Sequence, residues 1–288
     1  MTEKEYLTAI YAFEYFGPIR VKLLLSYFES SKKIWESTRG QLLKVNLPEG
    51  RVNQFIDFRK KFNIEEYFKR LKSLKIKVTT ILDPGFPKNL KELDGSPLVL
   101  YYKGSLDSLK NKSVAIVGTR QMTPYGKEVT EMFSGGLAKK NITIISGLAR
   151  GVDTVAHKAC LEKGGETIAV LGHGLDIVYP PENSMLASEI VKKGGAVVSE
   201  YPLGYPIRPS NFAIRNRIIS GLSDVVLVIE GAEKSGTLLT ARHAAEQGKT
   251  VLAVPGPITS PLSATPLYLL KNGAKIATSV SDVLEELG

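Results

Sequence analysis

Six short apolar runs in the second half of the chain each end in a glycine-rich or polar turn and pass into a helix-like stretch. The runs are Ser113–Val117, Ile142–Ile145, Thr167–Leu171, Ala196–Val198, Asp224–Ile229 and Thr250–Val254. Buried runs that alternate with helices are typical of a parallel α/β sheet, whose strands all end at the same edge. The pattern therefore predicts that the six turns converge on one crevice, where the function should be sought.

A change in the period of the apolar residues divides the chain near residue 77. Before this point apolar residues recur at helical spacing, with Trp35 as the expected anchor of a small core. After it the apolar runs are short and strand-like. We therefore predict a small all-α domain over residues 1–77 and an α/β domain over residues 78–288.

Three further elements precede the six runs. Residues Val78–Leu82 and Leu98–Tyr102 are strand-like, and the turn signal Asp83–Pro87 and a short helix over about Lys88–Leu93 separate them. We expect these elements to extend the sheet beyond its parallel part.

Two tight turns in the helical domain each stand ahead of a basic helix start. They are Gly17-Pro18-Ile19-Arg20 and Pro48-Glu49-Gly50-Arg51, and they resemble the turns of helix-hairpin-helix, or SAM-like, modules, whose amides hold a DNA phosphate. Neither turn has the second glycine that lets a backbone approach closely. Plain structural packing is therefore the alternative.

The net charge of +9 lies mostly in the first part of the chain. Residues 1–110 hold 20 Lys and Arg against 13 Asp and Glu, whereas residues 111–288 hold 18 against 16. The excess suggests a polyanionic partner, and a lysine-rich solvated surface is the alternative. A single cysteine fits a reducing compartment. Without an apolar leader or a membrane-length run, we expect a cytoplasmic protein with no membrane partner.

The first two turns present groups that bind anions. Backbone N–H groups at a helix start and a planar guanidinium both bind phosphate, and glycines let successive amides point at one ligand. The residues concerned are Gly118, Thr119 and Arg120 in the first turn, and Ser146, Gly147 and Gly151 in the second. The spacing is not that of a dinucleotide fingerprint.

The run from Arg208 to Arg217 offers arginine forks, amides and one aromatic ring, which are the groups that single-stranded nucleic acid needs. Its candidate contacts are Arg208, Asn211, Phe212, Arg215, Asn216 and Arg217. We expect Ile214, Ile218 and Leu222 to form the apolar face of this helix, so that Arg215 and Arg217 are not both buried and Phe212 stands at the crevice rim. Alternatively, one arginine ties the helix to Glu200 or Glu230.

The fifth turn adds another phosphate site. Its candidate contacts are Lys234, Ser235, Gly236 and Thr237, at the start of an alanine-rich helix. Here the lysine precedes the second glycine, so it cannot take the position of the lysine in a P-loop. ATP hydrolysis is therefore not expected.

The sequence offers little catalytic chemistry. The histidines lack metal-ligand spacing, and no nucleophile elbow is present. Asp153 and His157 lie four residues apart on one helix and could orient an imidazole for proton transfer, or Asp153 could cap the helix while His157 packs. Glu200, Asp176 and Glu230 could act as acids or bases, or could pair with arginines. We predict no catalytic residue, no metal and no cofactor, and a protein that is not an enzyme.

Five of these motifs stand in the order seen in the DprA family, also called Smf, and the chain resembles its members. The motifs are Gly118–Arg120, Ser146–Asp153, Ser199–Pro202, Phe212–Ile219 and Ser235–Ala241. The resemblance covers residues 80–288 closely and residues 1–77 loosely. It implies an extended Rossmann-like sheet that binds single-stranded DNA around these motifs, a homodimer, and loading of the RecA recombinase onto incoming DNA in natural transformation. It also implies that the winged-helix domain of many members is missing here.

A second family supplies the alternative function. Nucleoside-monophosphate phosphoribohydrolases of the LOG, or lysine-decarboxylase-like, type also combine a Rossmann-like sheet with glycine-rich phosphate turns. Their P-G-G-x-G-T-x-x-E motif ends in a catalytic glutamate, whereas Lys234–Thr240 has no glutamate at that place.

Overall fold

The computed structural model describes residues 1–91, 93 and 95–288 of the chain. Six helices come before the first strand: α1 Glu3–Tyr11, α2 Pro18–Phe28, α3 Ser31–Glu36, α4 Arg39–Leu43, α5 Glu49–Lys61 and α6 Ile64–Ser73. Thr2 caps α1 and Asn63 caps α6, because each side-chain oxygen accepts a hydrogen bond from an otherwise unpaired amide of the first turn. The all-α start of the chain is confirmed.

Nine strands form one sheet in the order β1-β2-β6-β5-β4-β3-β7-β8-β9. Their bounds are β1 Lys77–Thr80, β2 Val99–Gly104, β3 Ser113–Val117, β4 Thr143–Ser146, β5 Thr167–Leu171, β6 Ala196–Ser199, β7 Val225–Val228, β8 Thr250–Ala253 and β9 Lys275–Ile276. β2 is antiparallel to both of its neighbours, and all pairs from β6 to β9 are parallel. The predicted extended Rossmann-like sheet is therefore confirmed.

The remaining helices alternate with these strands. They are α7 Lys88–Lys91, α8 Pro124–Ala138, α9 Val152–Glu162, α10 Ser184–Lys192, α11 Pro209–Leu222, α12 Gly236–Glu246, α13 Ala264–Lys271 and α14 Val280–Glu285. The helix predicted over Lys88–Leu93 is observed over Lys88–Lys91, and residue 92 lies outside the described residues.

The connection order places a switch point beside β3. From β3 the chain adds β4, β5 and β6 on one side, and α11 then carries it back across the sheet to β7 on the other side. Loops on the two sides of a switch point diverge and leave a crevice between them at the carboxyl edge. The fold therefore places a crevice next to the end of β3.

Three apolar clusters hold these layers together. One lies between the sheet and α8, α9 and α14, and a second lies between the opposite face and α11 and α12. The third joins the N-terminal helices to the sheet, because Leu7 and Phe55 belong to the same buried cluster as Tyr101 and Leu171. Trp35 packs edge-on against Phe55, as expected of a core anchor. The division into domains at residues 77 and 78 stays a prediction.

None of the helices described here combines the length and the apolar character that crossing a bilayer requires.

Candidate functional site

A crevice of about 660 Å³ opens at the carboxyl edge of the sheet, at the switch point beside β3. The turns after β3, β4 and β7 form it together with the first turns of α11. Its walls are Val117, Gly118, Thr119, Arg120, Gln121, Ala149, Arg150, Asp153, Pro209, Phe212, Ala213, Arg215, Asn216, Ile219, Ala232, Ser235, Gly236, Thr237, Leu239 and Thr240.

The expectation that all six turns converge on this crevice is wrong. The turns after β5, β6 and β8 lie at the same edge but supply none of its walls. Neighbouring strands are about 4.8 Å apart, so β6, three places from β3, ends roughly 14 Å away. Only the turns after β3, β4 and β7 join α11 and α12 in the crevice walls, while the connection after β5 reaches the adjoining cleft through Tyr179 and Pro180.

The first turn is fixed by backbone hydrogen bonds on both sides. The Thr119 amide donates to the Glu230 carbonyl at 2.8 Å, and the Thr119 carbonyl accepts from the Val152 amide at 3.2 Å. Gly118 has no room for a side chain, since a methyl group there would lie 2.5 Å from a Val152 methyl. Arg120 follows this rigid turn and extends, exposed, into the crevice.

The floor of the crevice holds a buried acid and a buried base around Gly147. Asp153 Oδ2 accepts hydrogen bonds from the amides of Gly147, at 3.1 Å, and Ala149, at 3.3 Å. Arg215 Nη1 donates to the carbonyl of Gly147 at 2.8 Å and to that of Val170. A methyl group on Gly147 would lie 2.6 Å from Arg215 Nη2 and 2.7 Å from Asp153 Oδ2. The second turn therefore needs a glycine here.

Burial shifts the protonation of both groups. It raises the pKa of Asp153, while the positive charge of Arg215 and the two amides oppose the rise. Burial also lowers the pKa of Arg215 to about 10, and Asp153 opposes that change. The Arg215 guanidinium is still protonated at neutral pH, so the floor of the crevice holds a charged arginine with the acidic Asp153 close by.

The apolar face expected on α11 is wrong in one respect. Ile214 is 48% exposed, and the buried face instead contains Ile218, Ile219 and Leu222. Arg215 is buried on this face, whereas the Arg217 side chain is 15% exposed, so the expectation that they are not both buried is confirmed. Carbonyls and carboxylates from distant strand ends supply the partners that make burial of a guanidinium tolerable.

Arg217 faces away from the crevice. Its Nη2 atom forms an ion pair with Glu200 Oε2, which confirms the alternative that one arginine ties the helix to this carboxylate. Glu200 also accepts a hydrogen bond from the Tyr11 hydroxyl at 3.3 Å. Arg217 thus joins α11 to β6 and to the N-terminal helices.

Phe212 stands half-buried at the rim of the crevice, as expected. Its ring lies 5.8 Å from the Tyr179 ring, and the Arg120 guanidinium carbon lies 5.7 Å from its centroid. Pro180, next to Tyr179, and Phe212 line a smaller cleft that continues the crevice. The rim therefore combines a cation with two aromatic rings.

The opposite wall is the first turn of α12. Ser235 caps this helix by accepting a hydrogen bond from the Thr237 amide at 3.1 Å. Asn216 Nδ2 donates to the Gly236 carbonyl at 3.2 Å and thereby ties α11 to α12. The partial positive charge of a helix N-terminus thus faces the same space as Arg120.

The structure brings ten of the sixteen predicted contacts together. Those that line the crevice are Gly118, Thr119, Arg120, Phe212, Arg215, Asn216, Ser235, Gly236 and Thr237, and Gly147 lines the adjoining cleft. The six that it does not bring there are Ser146, Gly151, Arg208, Asn211, Arg217 and Lys234.

Most of these six residues have other structural partners. Ser146 Oγ donates to the Ile116 carbonyl at 2.7 Å, and Asn211 Nδ2 donates to the Pro206 carbonyl at 3.2 Å. Gly151 adopts a φ of +77°, which only glycine tolerates easily. Arg208 pairs with Glu14 at 3.3 Å. The structure thus gives these four residues roles in shaping the turns rather than places in the crevice wall.

Sequence reasoning missed two kinds of contact. Tyr179 was not singled out, although an aromatic residue ahead of two prolines after a strand end is a signal for a rigid, exposed ring. Asp153 was considered only as a helix cap or as a partner of His157, because its approach to Arg215 depends on residues more than 60 positions away.

The acidic and imidazole groups near the strand ends serve the fold. His157 is fully buried, its Nδ1 lies 2.7 Å from Thr167 Oγ1, and burial lowers its pKa to about 3. The alternative that His157 packs is confirmed. Glu230 accepts hydrogen bonds from the Thr123 amide at 2.9 Å and hydroxyl at 2.6 Å. Among the described residues there is also no cluster of three potential metal ligands.

Comparisons with known proteins converge on one family. The model of the family described as DNA recombination-mediator protein A matches residues 77–288. Protein Smf from Escherichia coli is 46% identical over 202 residues, which are 70% of this chain and 54% of that protein. The chain therefore spans about half the length of this relative.

Two solved structures extend the comparison. DNA processing protein A (DprA) from Streptococcus pneumoniae superposes with a TM-score of 0.86 at 35% identity and covers 100% of this chain and 99% of its own. DNA processing protein A from Helicobacter pylori, which was described for its single-stranded DNA binding mode, has a TM-score of 0.65 at 32% identity. That match covers 73% of this chain and 94% of the other.

Proposed function

The chain belongs to the DNA recombination-mediator protein A family, and from this premise we propose that its crevice binds single-stranded DNA. The observation that carries the proposal is the placement of Arg120 beside the Phe212 ring, above the buried Arg215. A phosphate needs the cations, and an unstacked base needs the ring. Both lie within one crevice.

The electrostatics of the crevice favour a polyanion. Arg120 is exposed and Arg215 is charged, while Arg150 is neutralised by an ion pair with Glu182. The carboxylate of Asp153 is buried beneath Gly147, away from solvent. The field of the exposed Arg120 guanidinium therefore dominates at the mouth.

The aromatic rim favours a single strand over a duplex. The Phe212 and Tyr179 rings can stack only on bases that have left a duplex, because paired bases present their edges to a protein. Base stacking is sequence-tolerant since every base has a π-face. We therefore expect little base preference.

The finer aspects of the function rest on the family. We propose a cytoplasmic, non-enzymatic homodimer that protects incoming DNA and loads the RecA recombinase onto it in natural transformation. The Rossmann-like part of this chain matches the family over residues 77–288, and this supports the assignment. RecA loading is tested by the ATPase rate of RecA on DNA coated with a single-strand-binding protein, with and without this chain.

One titration tests the DNA-binding proposal itself. Fluorescence anisotropy with labelled single-stranded and duplex oligonucleotides should show tighter binding of the single strand. Its affinity should fall steeply with salt because binding releases counterions. Equal affinity for both forms at about physiological salt, or release of adenine from AMP, would overturn the proposal, and the latter would favour a phosphoribohydrolase.

A further inference from the structure

A second exposed arginine shares the mouth of the crevice with Arg120. Arg150 lines both the crevice and the adjoining cleft, which continues toward Tyr179 and Pro180. Its side chain is 57% exposed, and none of the described residues that line the cleft is a carboxylate. Arg150 therefore lies where the backbone of a strand would pass on its way from the crevice toward Tyr179.

Glu182 holds the Arg150 guanidinium from outside the crevice. Arg150 Nε donates a hydrogen bond to Glu182 Oε1, and Glu182 lines neither the crevice nor the cleft. The hydrogen bond with Glu182 and then the charge of this carboxylate raise the pKa of Arg150. The Glu182 side chain is 50% exposed, so both partners of the ion pair are open to solvent.

A buried amide keeps the two partners side by side. Glu182 belongs to the short turn ahead of α10, and the next residue, Asn183, is buried. Asn183 Nδ2 donates hydrogen bonds to the Leu148 carbonyl at 2.9 Å and to Thr154 Oγ1 at 2.8 Å. Because Leu148 and Thr154 flank Arg150 in sequence, this amide fixes the turn that carries the acid against the turn that carries the base.

An ion pair as exposed as this one exchanges its partners readily. Water and salt screen such pairs, so they contribute little to stability. A phosphate forms charge-assisted and often bidentate hydrogen bonds with a guanidinium. A strand already held by Arg120 and Phe212 can therefore take Arg150 away from Glu182.

Resting on the proposed function, we propose that Arg150 is a second contact for the phosphates of the bound single strand and that Glu182 competes with the strand for it. Binding replaces the Arg150–Glu182 ion pair with an Arg150–phosphate contact and returns the carboxylate to solvent. The phosphate then releases a counterion, but the freed carboxylate takes one up. In the wild type, Arg150 thus adds little to the salt dependence of binding.

Glu182→Gln isolates the competition, because it removes the charge and keeps the shape of the side chain. The matched control is Glu246→Gln. Arg242 Nε donates to Glu246 Oε1 at 2.8 Å, and the Glu246 side chain is 53% exposed, so the two ion pairs are of the same kind. Glu246 ends α12, ten residues after Gly236 in the crevice wall and thus about 15 Å along the helix from it.

Fluorescence anisotropy with a labelled oligothymidylate measures affinity at several salt concentrations. Glu182→Gln should bind roughly two- to fivefold more tightly than the wild type. Its slope of log affinity against log salt should steepen by about 0.7, the value for one phosphate of a single strand. Glu246→Gln should match the wild type in both quantities. The double variant Arg150→Gln/Glu182→Gln should lose both gains.

Affinity of Glu182→Gln equal to that of the wild type would overturn the proposal. A gain that Glu246→Gln shares would overturn it by assigning the effect to general charge. A gain that persists in the double variant would do so as well, because the carboxylate would then repel the strand without acting through Arg150. Failure of the proposed function is separate: Phe212→Ala would then leave strand affinity unchanged, whereas it still weakens binding if only the exchange at Arg150 fails.

Discussion

Arg215 and Arg217 stand two residues apart on α11, yet their guanidinium groups have different kinds of partner. Arg217 contacts the Glu200 carboxylate directly, so this side of the helix presents a neutral pair. Arg215 donates to the neutral carbonyls of Gly147 and Val170 and influences Asp153 only at longer range. A guanidinium bonded to carbonyls keeps its charge for the surroundings, whereas one bonded to a carboxylate does not. The crevice therefore holds an arginine whose charge Asp153 offsets without a direct ion pair.

The largest expected effect is the loss of stability when the carboxylate of the Glu200–Arg217 ion pair is removed. Glu200→Ala leaves the Arg217 guanidinium buried without its partner, so the free energy of unfolding should fall by about 3–5 kcal/mol in chemical denaturation. Binding of the shortest single strands should change little, because Glu200 lies outside the crevice. The double variant Glu200→Leu/Arg217→Met should recover much of the stability. If it is as unstable as the single variant, the pair is not the cause.

The next effect belongs to the rim of the crevice. Phe212→Ala should weaken single-strand binding by about 1–3 kcal/mol, or roughly 5- to 150-fold, because a stacking surface is lost. Phe212→Tyr retains the ring and serves as the matched control. Stability should change little, since a buried phenylalanine would cost about 3–5 kcal/mol and this ring is only half-buried. A variant that melts early but binds normally would contradict the rim assignment.

The buried His157, near Arg215, should make the stability of the protein depend on pH. Burial and then the charge of Arg215 lower its pKa to about 3, against an unfolded value of about 6.5. The unfolded state therefore takes up the proton first, and about 2 kcal/mol of stability should disappear between about pH 7.5 and pH 5. Burial lowers the pKa of His173 too, which acts in the same direction, while the raised pKa of Asp153 opposes it.

Denaturation midpoints across this pH range measure the slope. His157→Gln should flatten it, whereas Arg215→Met should change it little above pH 5, because burial is the main cause that keeps the pKa of the folded-state imidazole low. A slope that persists unchanged in His157→Gln would show that another group, such as the buried His173, is its source.

The smallest expected effect is the loss of single-strand affinity when the exposed Arg120 side chain is removed. Arg120→Ala should weaken single-strand binding by about 1 kcal/mol, roughly fivefold, and reduce the dependence of log affinity on log salt by about 1. Lys140→Ala, an exposed residue ahead of β4 at the opposite edge of the sheet, is the control and should leave both unchanged. If both variants weaken binding equally, general charge rather than the crevice holds the DNA.

The layout of the sheet could be predicted because each strand carries its own signal. Ser113–Val117 and Thr167–Leu171 are apolar runs that end at turns, and parallel strands place those turns at one edge whatever the neighbours are. Strand order was not predictable in this way. Without it, the sequence could not show that only the turns beside β3 reach the crevice.

The orientation of α11 could not be predicted because its partners come from elsewhere in the chain. Periodicity favoured Ile214 as a buried residue, which was wrong, and it could not decide which of Arg215 and Arg217 is the buried arginine. The Gly147 carbonyl makes burial of the Arg215 guanidinium tolerable and Glu200 pairs with the partly buried Arg217, and no local sequence pattern indicates such partners. Phe212 was placed correctly because its neighbours in sequence also shape the rim.

The interleaving of side chains on α11 makes the length of this helix as important as its composition. Crevice residues such as Phe212 alternate with core residues such as Ile218 and with exposed residues such as Ile214, within a single stretch of 14 residues. One inserted residue would rotate everything after it by about 100° and move each side chain into its neighbour's surroundings. A substitution in α11 therefore changes one of these surfaces, but an insertion or deletion would disturb the crevice and the core at once.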